Sequence, residues 1–93
     1  MFVTIAHHYP RPEHVEAFVA FMADIEEGMA GTPGLVSLES FRDVAQTRLV
    51  AIGRWESPEA AQAGVFRLMT IGSHDPKWSA RPDEVMQLQL VTR

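Results

Sequence analysis

A chain of 93 residues, 46% of them hydrophobic and 22% charged, has the size and composition of one globular domain, which we assign to residues 1–93. Its net charge of −4 and its scattered basic residues argue against binding to nucleic acid, which requires clustered lysine and arginine. The absence of cysteine excludes disulfides, thiolate metal ligands and cysteine nucleophiles. No secretory leader and no apolar run of about 18 residues is recognised, so we expect a cytoplasmic protein with no membrane partner.

The first third of the chain predicts a strand followed by a helix. Phe2 to Tyr9 is rich in β-branched and aromatic residues, and Pro10 and Pro12 end this strand because they remove amide donors. From Pro12 to about Ala30, apolar residues recur at the spacing of one helical face. These residues are Val15, Phe18, Val19, Met22, Ile25 and Met29.

Two more strands and a second helix follow. The segments 35–42 and 48–56 are predicted strands, and the polar connection 43–47 has a length suited to an antiparallel hairpin. Ser57 and Pro58 provide an N-cap and a first-turn proline for the second helix. The apolar face of that helix is predicted to contain Ala61, Val65, Leu68 and Met69.

The last quarter of the chain predicts a loop and a fourth strand. Segment 72–83 contains two prolines and no sustained periodicity, which indicates a loop with one helical turn around Trp78. Segment 84–92 alternates apolar and polar residues, as a strand does. The resulting order, β-α-β-β-α-β, predicts a ferredoxin-like α+β fold with a four-stranded antiparallel sheet.

Two helices can cover only one face of such a sheet. In the third strand Leu49 and Trp55 point one way and Val50 and Ile52 point the other, so both faces carry apolar side chains. The uncovered face must be buried against another surface, most simply a second copy of the same sheet. The sequence therefore predicts a homodimer.

With this order of elements, the segments LVSLESFRD and LVAIGRWESPEAA resemble the antibiotic biosynthesis monooxygenase family. The likeness extends over nearly the whole chain and implies a dimeric α/β barrel. The family includes cofactor-free oxygenases of aromatic polyketides, quinol oxygenases, haem-degrading enzymes and members without an assigned activity. The fold therefore does not select the reaction.

The resemblance assigns roles to particular residues. Trp55 matches a pocket tryptophan of the oxygenases and haem degraders, and His7 occupies the position of an asparagine that faces the same cavity in many active members. Haem degraders also have an iron-ligating histidine on the second helix, and its counterpart here is near Thr70, which cannot ligate iron. Haem degradation is therefore disfavoured. His74 lies in the following loop and could ligate iron only if the helix were longer.

These positions suggest a reaction that needs no cofactor. Neutral His7, which shares strand parity with Val3 and Ile5 and should point inward, would take a proton from a phenol or quinol, while Trp55 stacks on its ring. The resulting anion can itself reduce O₂ in a dry pocket. Both residues are also explained by packing alone. Further predicted substrate-binding residues, each with a packing or surface alternative, are Phe18, Met22, Phe66, Met69 and His74.

A metal site is not predicted. His7 and His8 are neighbours on a strand and point to opposite faces, and no HxH or HExxH spacing occurs. The predicted function is thus a cofactor-independent monooxygenase acting on a small aromatic, phenolic or quinol compound. The alternative is a non-catalytic dimeric barrel that binds a small apolar ligand, and the two differ in whether the cavity contains an activated group.

Overall fold

The computed structural model describes residues 1–45 and 48–92. The strands are β1 (Phe2–Pro10), β2 (Leu35–Arg42), β3 (Leu49–Trp55) and β4 (Ser79–Gln89), and the helices are α1 (Val15–Met29) and α2 (Pro58–Ile71). All strand pairs are antiparallel, in the order β2-β3-β1-β4, which confirms the ferredoxin-like α+β fold. None of the helices within these residues has the length and apolar character needed to cross a membrane.

Local sequence signals set the ends of the helices. The Ser57 hydroxyl accepts a hydrogen bond from the Ala60 amide at 3.1 Å, and Pro58 occupies the first turn of α2. Between α1 and β2, Gly34 has a positive φ of 79°, and a Cβ there would collide with Ala60. The predicted hairpin connection at 43–47 lies partly outside the described residues.

The predicted bounds of the fourth strand were wrong. β4 begins at Ser79 rather than at residue 84, because Ser79 pairs with Pro10 and Arg81 pairs with Tyr9. Pro82 is tolerated inside β4 because this strand forms an edge of the sheet, where a missing amide donor breaks no ladder. The predicted turn near Trp78 is confirmed as a short 3-10 turn, Pro76–Trp78.

The sheet has one face covered by helices and one uncovered face. Phe2 pairs with Trp55 and His8 pairs with Leu49, so these side chains share the helix-covered face. The other face is apolar as well, as predicted, and no helix within the described residues covers it. Its apolar side chains are Val3, Ile5, Phe41, Val50, Ile52, Met86 and Leu88.

The helix-covered face contains two apolar clusters, one built on Phe18, Met22 and Leu49 and the other on Met29, Trp55 and Ala61. We call the second the Trp55 cluster. The predicted apolar face of α2 was partly wrong. Ala61 and Gly64 are buried, whereas Val65 and Met69 are 48% and 71% exposed. The small residues let α2 lie directly on the Trp55 ring, which turns the larger ones away from the sheet.

Candidate functional site

Trp55 fills the core in this structure and is not among the residues that line the cavity described below. The side chain is 5% exposed and packs with Met29 and Ala61. Its indole Nε1 donates a hydrogen bond to the Thr4 hydroxyl at 3.1 Å, and a Cβ at Gly64 would overlap its six-membered ring. The ring is therefore covered and its one polar atom has a partner. Of the two interpretations left open by the sequence, the packing role matches these contacts.

His7 lies on the opposite face of the sheet from Trp55. His7 pairs with Val50, whose side chain points away from the helices, so the expectation that His7 and Trp55 face one cavity was wrong. Because β1 is apolar on both sides, its alternation shows which residues share a face but not which face meets the helices. The Nδ1 atom of His7 is buried and has no hydrogen-bond partner among the described residues. A catalytic role for His7 stays a prediction.

The other predicted site residues fall into two groups. Phe18 is fully buried and Met22 is 5% exposed, and both belong to the apolar cluster with Leu49. Phe66 and Met69 are 65% and 71% exposed on the outer side of α2, so the structure does not bring them to the first group.

The remaining predicted residue, His74, belongs to a polar group that the sequence does not reveal. The Asp83 carboxylate oxygen Oδ2 lies 3.1 Å from His8 Nδ1 and 3.5 Å from His74 Nε2. The three donor atoms lie within 4.8 Å of one another. We call His8, His74 and Asp83 the histidine cluster. Both imidazoles are mostly buried, with side chains 15% and 19% exposed, and the carboxylate is 31% exposed.

A β-bulge places Asp83 in this cluster. His7 pairs with Glu84 and Tyr9 pairs with Arg81, so two residues of β4, Pro82 and Asp83, lie opposite the single residue His8. An extra residue of this kind changes the direction of the side chains beside it. The segment after α2 supplies His74, whose Nδ1 lies 3.1 Å from the Asp75 carbonyl oxygen. Since a carbonyl only accepts, Nδ1 is the donor in this contact, and Nε2 is the nitrogen that faces Asp83.

Aromatic rings surround the two imidazoles. The Phe18 ring centroid lies 4.5 Å from that of His74 and 4.9 Å from that of His8. Trp78 is nearly parallel to His74, with 16° between the planes and 6.4 Å between centroids, and Phe21 lies 5.9 Å from His74 at its edge. These contacts fix the rings in place and exclude water from one side of the cluster.

An open cavity of about 350 Å³ adjoins the other side of the histidine cluster. It is lined by His74, Pro76, Ser79, Arg81, Pro82 and Asp83. The Arg81 guanidinium is engaged on the other face of the sheet. Its Nη2 donates a hydrogen bond to Glu84 Oε1 at 2.9 Å and the group lies 3.8 Å above the Tyr9 ring, and both partners share the face of His7 rather than that of His8. The Tyr9 hydroxyl also donates to Glu84, and this bond, followed by that from Arg81, lowers the pKa of Glu84 below its ordinary value. The cavity therefore combines an imidazole and a carboxylate.

Two residues of the histidine cluster, His8 and Asp83, are not predicted from the sequence as site residues. An inward His7 puts its neighbour His8 on the outward face of β1, and Asp83 is the last residue of the segment 72–83 that is predicted to be a loop. Only the register between β1 and β3, together with the bulge opposite His8, brings the two side chains together. Neither feature can be read from spacing in a single sequence.

Comparison with known proteins identifies the family. The family model for antibiotic biosynthesis monooxygenase matches residues 1–63, about two thirds of the chain. The chain belongs to this family, as its resemblance implied. No curated protein matches the chain at a significant level.

Solved structures support the same fold. Rv0793 from Mycobacterium tuberculosis superposes with a TM-score of 0.87 at 19% identity, over 99% of this chain and 96% of that one. An antibiotic biosynthesis monooxygenase superposes with a TM-score of 0.80 at 17% identity, over 99% and 100%. A MhuD variant with two manganese protoporphyrin IX groups bound per active site gives 0.81 at 19% identity, over 100% and 97%. At these identities the likeness establishes the fold and leaves the chemistry open.

The residues of this chain do not fit a haem group. Thr70, at the position that the resemblance compares with an iron-ligating histidine, is exposed on α2 and donates its hydroxyl proton to the Arg67 carbonyl at 2.6 Å. His74 lies beyond the end of α2 at Ile71, and its Nε2 faces Asp83. The helix is thus no longer than predicted, and it places no histidine where iron would be ligated.

Proposed function

We propose that this chain is a cofactor-independent monooxygenase that oxidises a small phenolic, quinol or related aromatic compound with O₂. The observation that carries the proposal is the position of His74. Its imidazole is held between aromatic rings, its Nε2 lies 3.5 Å from Asp83, and it lines the cavity of about 350 Å³. A cavity of that volume is at the lower end of the range for small-molecule sites.

The reaction needs a base and a sheltered anion. Removing a proton from an activated aromatic substrate gives a carbanion or phenolate that transfers one electron to O₂, and the two radicals combine to form a peroxide. Loss of water leaves a new carbonyl, so that a CH₂ group and one O₂ become a C=O group and one H₂O. The substrate supplies all the electrons, and the protein supplies proton transfer, orientation and charge stabilisation.

Two residues of the cavity fit these roles. His74 Nε2 accepts the substrate proton, since the Asp75 carbonyl holds the other ring proton on Nδ1. Asp83 stabilises the imidazolium that forms. The base role that strand alternation gives to His7 therefore passes to His74 in this proposal, while Trp55 supports the fold beneath the site.

Oxygen uptake by metal-depleted protein tests the proposal. We expect turnover with a member of a series of anthrones, naphthols and dihydroquinones, and a loss of about 10²–10⁴-fold in kcat/KM for His74→Gln. His14→Gln, a histidine outside the cavity lining, is the matched control and should retain its rate. His7→Gln distinguishes the two candidate bases. The assignment of His74 as the base would be contradicted if oxygen uptake were unaffected by His74→Gln, or if it were lost with His7→Gln alone.

The non-catalytic alternative is favoured by one feature of the same cavity. Arg81 and Asp83 are exposed, so the cavity is open to water, whereas a reactive anion requires a drier site. In this alternative the cavity binds a small aromatic or apolar ligand without turnover. Quenching of Trp78 fluorescence by the same compounds, measured in Trp55→Phe protein and without any oxygen uptake, would favour binding over catalysis.

We also infer that two copies pair through the uncovered face of the sheet. Met86 and Leu88 are 46% and 42% exposed there, on β4 beside the half-buried residues of β1. A domain of this size has few other ways to bury a second apolar sheet face. Sedimentation should give a dimer, and Ile52→Asp should give a folded monomer. A wild-type monomer at micromolar concentration would refute the pairing.

A further inference from the structure

We propose that the histidine cluster is a binding site for a divalent transition-metal ion such as Zn²⁺ or Co²⁺. Its three donors come from separate parts of the chain, His8 from the end of β1, His74 from the segment after α2 and Asp83 from the β4 bulge. Two imidazole nitrogens and one carboxylate oxygen form a donor set that these ions bind well. The fold, rather than any spacing in the sequence, brings them together.

The distances fit coordination after small side-chain rotations. Metal–ligand bonds of about 2.0–2.2 Å place neighbouring donors of a tetrahedral site about 3.4 Å apart. Asp83 Oδ2 lies 3.1 Å from His8 Nδ1 and 3.5 Å from His74 Nε2, and all three donors lie within 4.8 Å of one another. The two imidazoles need only approach each other slightly for one ion to bridge the three atoms.

The surroundings of the two imidazole rings favour metal ligation. A ligating histidine commonly donates its second ring N–H to a backbone carbonyl, and His74 Nδ1 makes this contact with the Asp75 oxygen. His8 Nδ1 is buried, and although it is close to Asp83 it has no partner with hydrogen-bond geometry within the described residues. A buried nitrogen of this kind is costly to leave unsatisfied, and coordination to a cation would satisfy it.

The surroundings leave one coordination position accessible. Phe18 packs against both imidazoles and closes the inner side, while the cavity beside His74 and Asp83 opens the outer side to water or a small anion. Three protein ligands with an accessible fourth position are typical of catalytic zinc sites and not of closed structural ones. The ion would therefore be taken up from solution rather than enclosed during folding.

Metal binding would oppose the proposed oxidation. Coordination uses the His74 Nε2 lone pair, which the proposed base needs to accept a proton, so Zn²⁺ should inhibit oxygen uptake in proportion to occupancy. This consequence rests on the proposed function. The metal site itself does not, since its three ligands and their geometry stand whether or not the chain turns over a substrate.

Cobalt titration of tag-free, metal-depleted protein tests the site. We expect one Co²⁺ per chain, with visible absorption bands of a low-symmetry nitrogen and oxygen site, and displacement of Co²⁺ by Zn²⁺. His8→Gln, His74→Gln and Asp83→Asn should each weaken binding by at least about tenfold. His7→Gln and His14→Gln are matched controls, because each also replaces one histidine by glutamine. Both variants should bind Co²⁺ as wild-type protein does.

The outcomes separate this proposal from the proposed function. Because the cobalt spectrum needs no substrate, a protein without oxidase activity can still confirm the metal site. Absence of the absorption bands in wild-type protein, or binding unchanged by Asp83→Asn, would overturn the site. If a histidine variant fails to fold by circular dichroism, the partly exposed Asp83→Asn decides the question.

Discussion

The helix-covered face of the sheet has two ends that are built differently. At the end where Phe2 pairs with Trp55, the Trp55 cluster is apolar, and its one polar atom, the indole Nε1, is bonded to Thr4. At the end where His8 pairs with Leu49, three donors of the histidine cluster converge beside a cavity. At the first end the polar atom has a partner, whereas at the second end the buried His8 Nδ1 has no hydrogen-bond partner in the part of the chain that the structure describes.

The difference indicates a division of roles along one sheet. Close packing of small residues on a large ring stabilises the fold and leaves no room for a ligand. A bulge, a short turn and an edge strand meet at the other end, where side chains can be directed into a cavity at little cost to the core. Substitutions in the first region should therefore change stability, and those in the second should change binding and turnover.

Removal of the Trp55 ring should have the largest effect on stability. Trp55→Ala deletes a side chain that is 5% exposed and should lower the free energy of unfolding by about 3–5 kcal/mol, since the cavity left cannot collapse fully. Trp78→Ala, in the partly buried aromatic group around His74, should cost only about 1–2 kcal/mol. Urea unfolding of both variants measures the two values. Equal losses would contradict the division of roles between the two ends of the sheet.

Addition of one methyl group beneath the indole should have the next largest effect. Alanine favours a helix interior over glycine, but a Cβ at Gly64 would overlap the Trp55 ring. We expect the overlap to dominate, so Gly64→Ala should destabilise by about 1–3 kcal/mol. The Gly64→Ala, Trp55→Phe double variant should recover part of this loss, because the smaller ring leaves space. If the losses of the two single variants simply add in the double variant, the overlap between the Gly64 Cβ and the Trp55 ring is not the cause of the destabilisation.

Loss of the indole hydrogen bond should have a smaller effect. Thr4→Val keeps the shape of the side chain but removes the acceptor 3.1 Å from Trp55 Nε1. The indole N–H would then be buried without a partner, at a cost of about 1–2 kcal/mol. Thermal unfolding of Thr4→Val and Thr4→Ser separates the two contributions, because serine retains the acceptor and loses only a methyl group. A stable Thr4→Val variant would show that the indole has another partner.

The fold could be predicted from the sequence more fully than the candidate site. Apolar periodicity and the Ser57-Pro58 cap determine element order and the start of α2, because these are local effects. The direction of the faces of β1 depends on its register with β3, and this is a tertiary property. Alternation alone could not show that His8, rather than His7, faces the helices.

The bounds of the fourth strand also depend on tertiary pairing and could not be predicted from local sequence. Pro82 indicates a break in a single sequence, yet β4 continues through it because an edge strand and a bulge need no amide donor at that position. The sequence therefore places Asp83 in a loop and hides its position opposite His8. Family resemblance could not correct this, since it directs attention to Trp55 and His7, which lie on opposite faces of the sheet.

Replacement of the shared carboxylate should have the smallest effect on stability. Asp83 is 31% exposed and its ion pairs are partly screened by solvent, so Asp83→Asn should change the free energy of unfolding of metal-free protein by less than about 1 kcal/mol. With Co²⁺ at about 100 times its dissociation constant, wild-type protein should gain about 2.7 kcal/mol, and the variant should gain far less. Thermal unfolding with and without the ion measures both effects. A large loss without metal would instead make Asp83 a structural residue and remove the contrast between the two ends of the sheet.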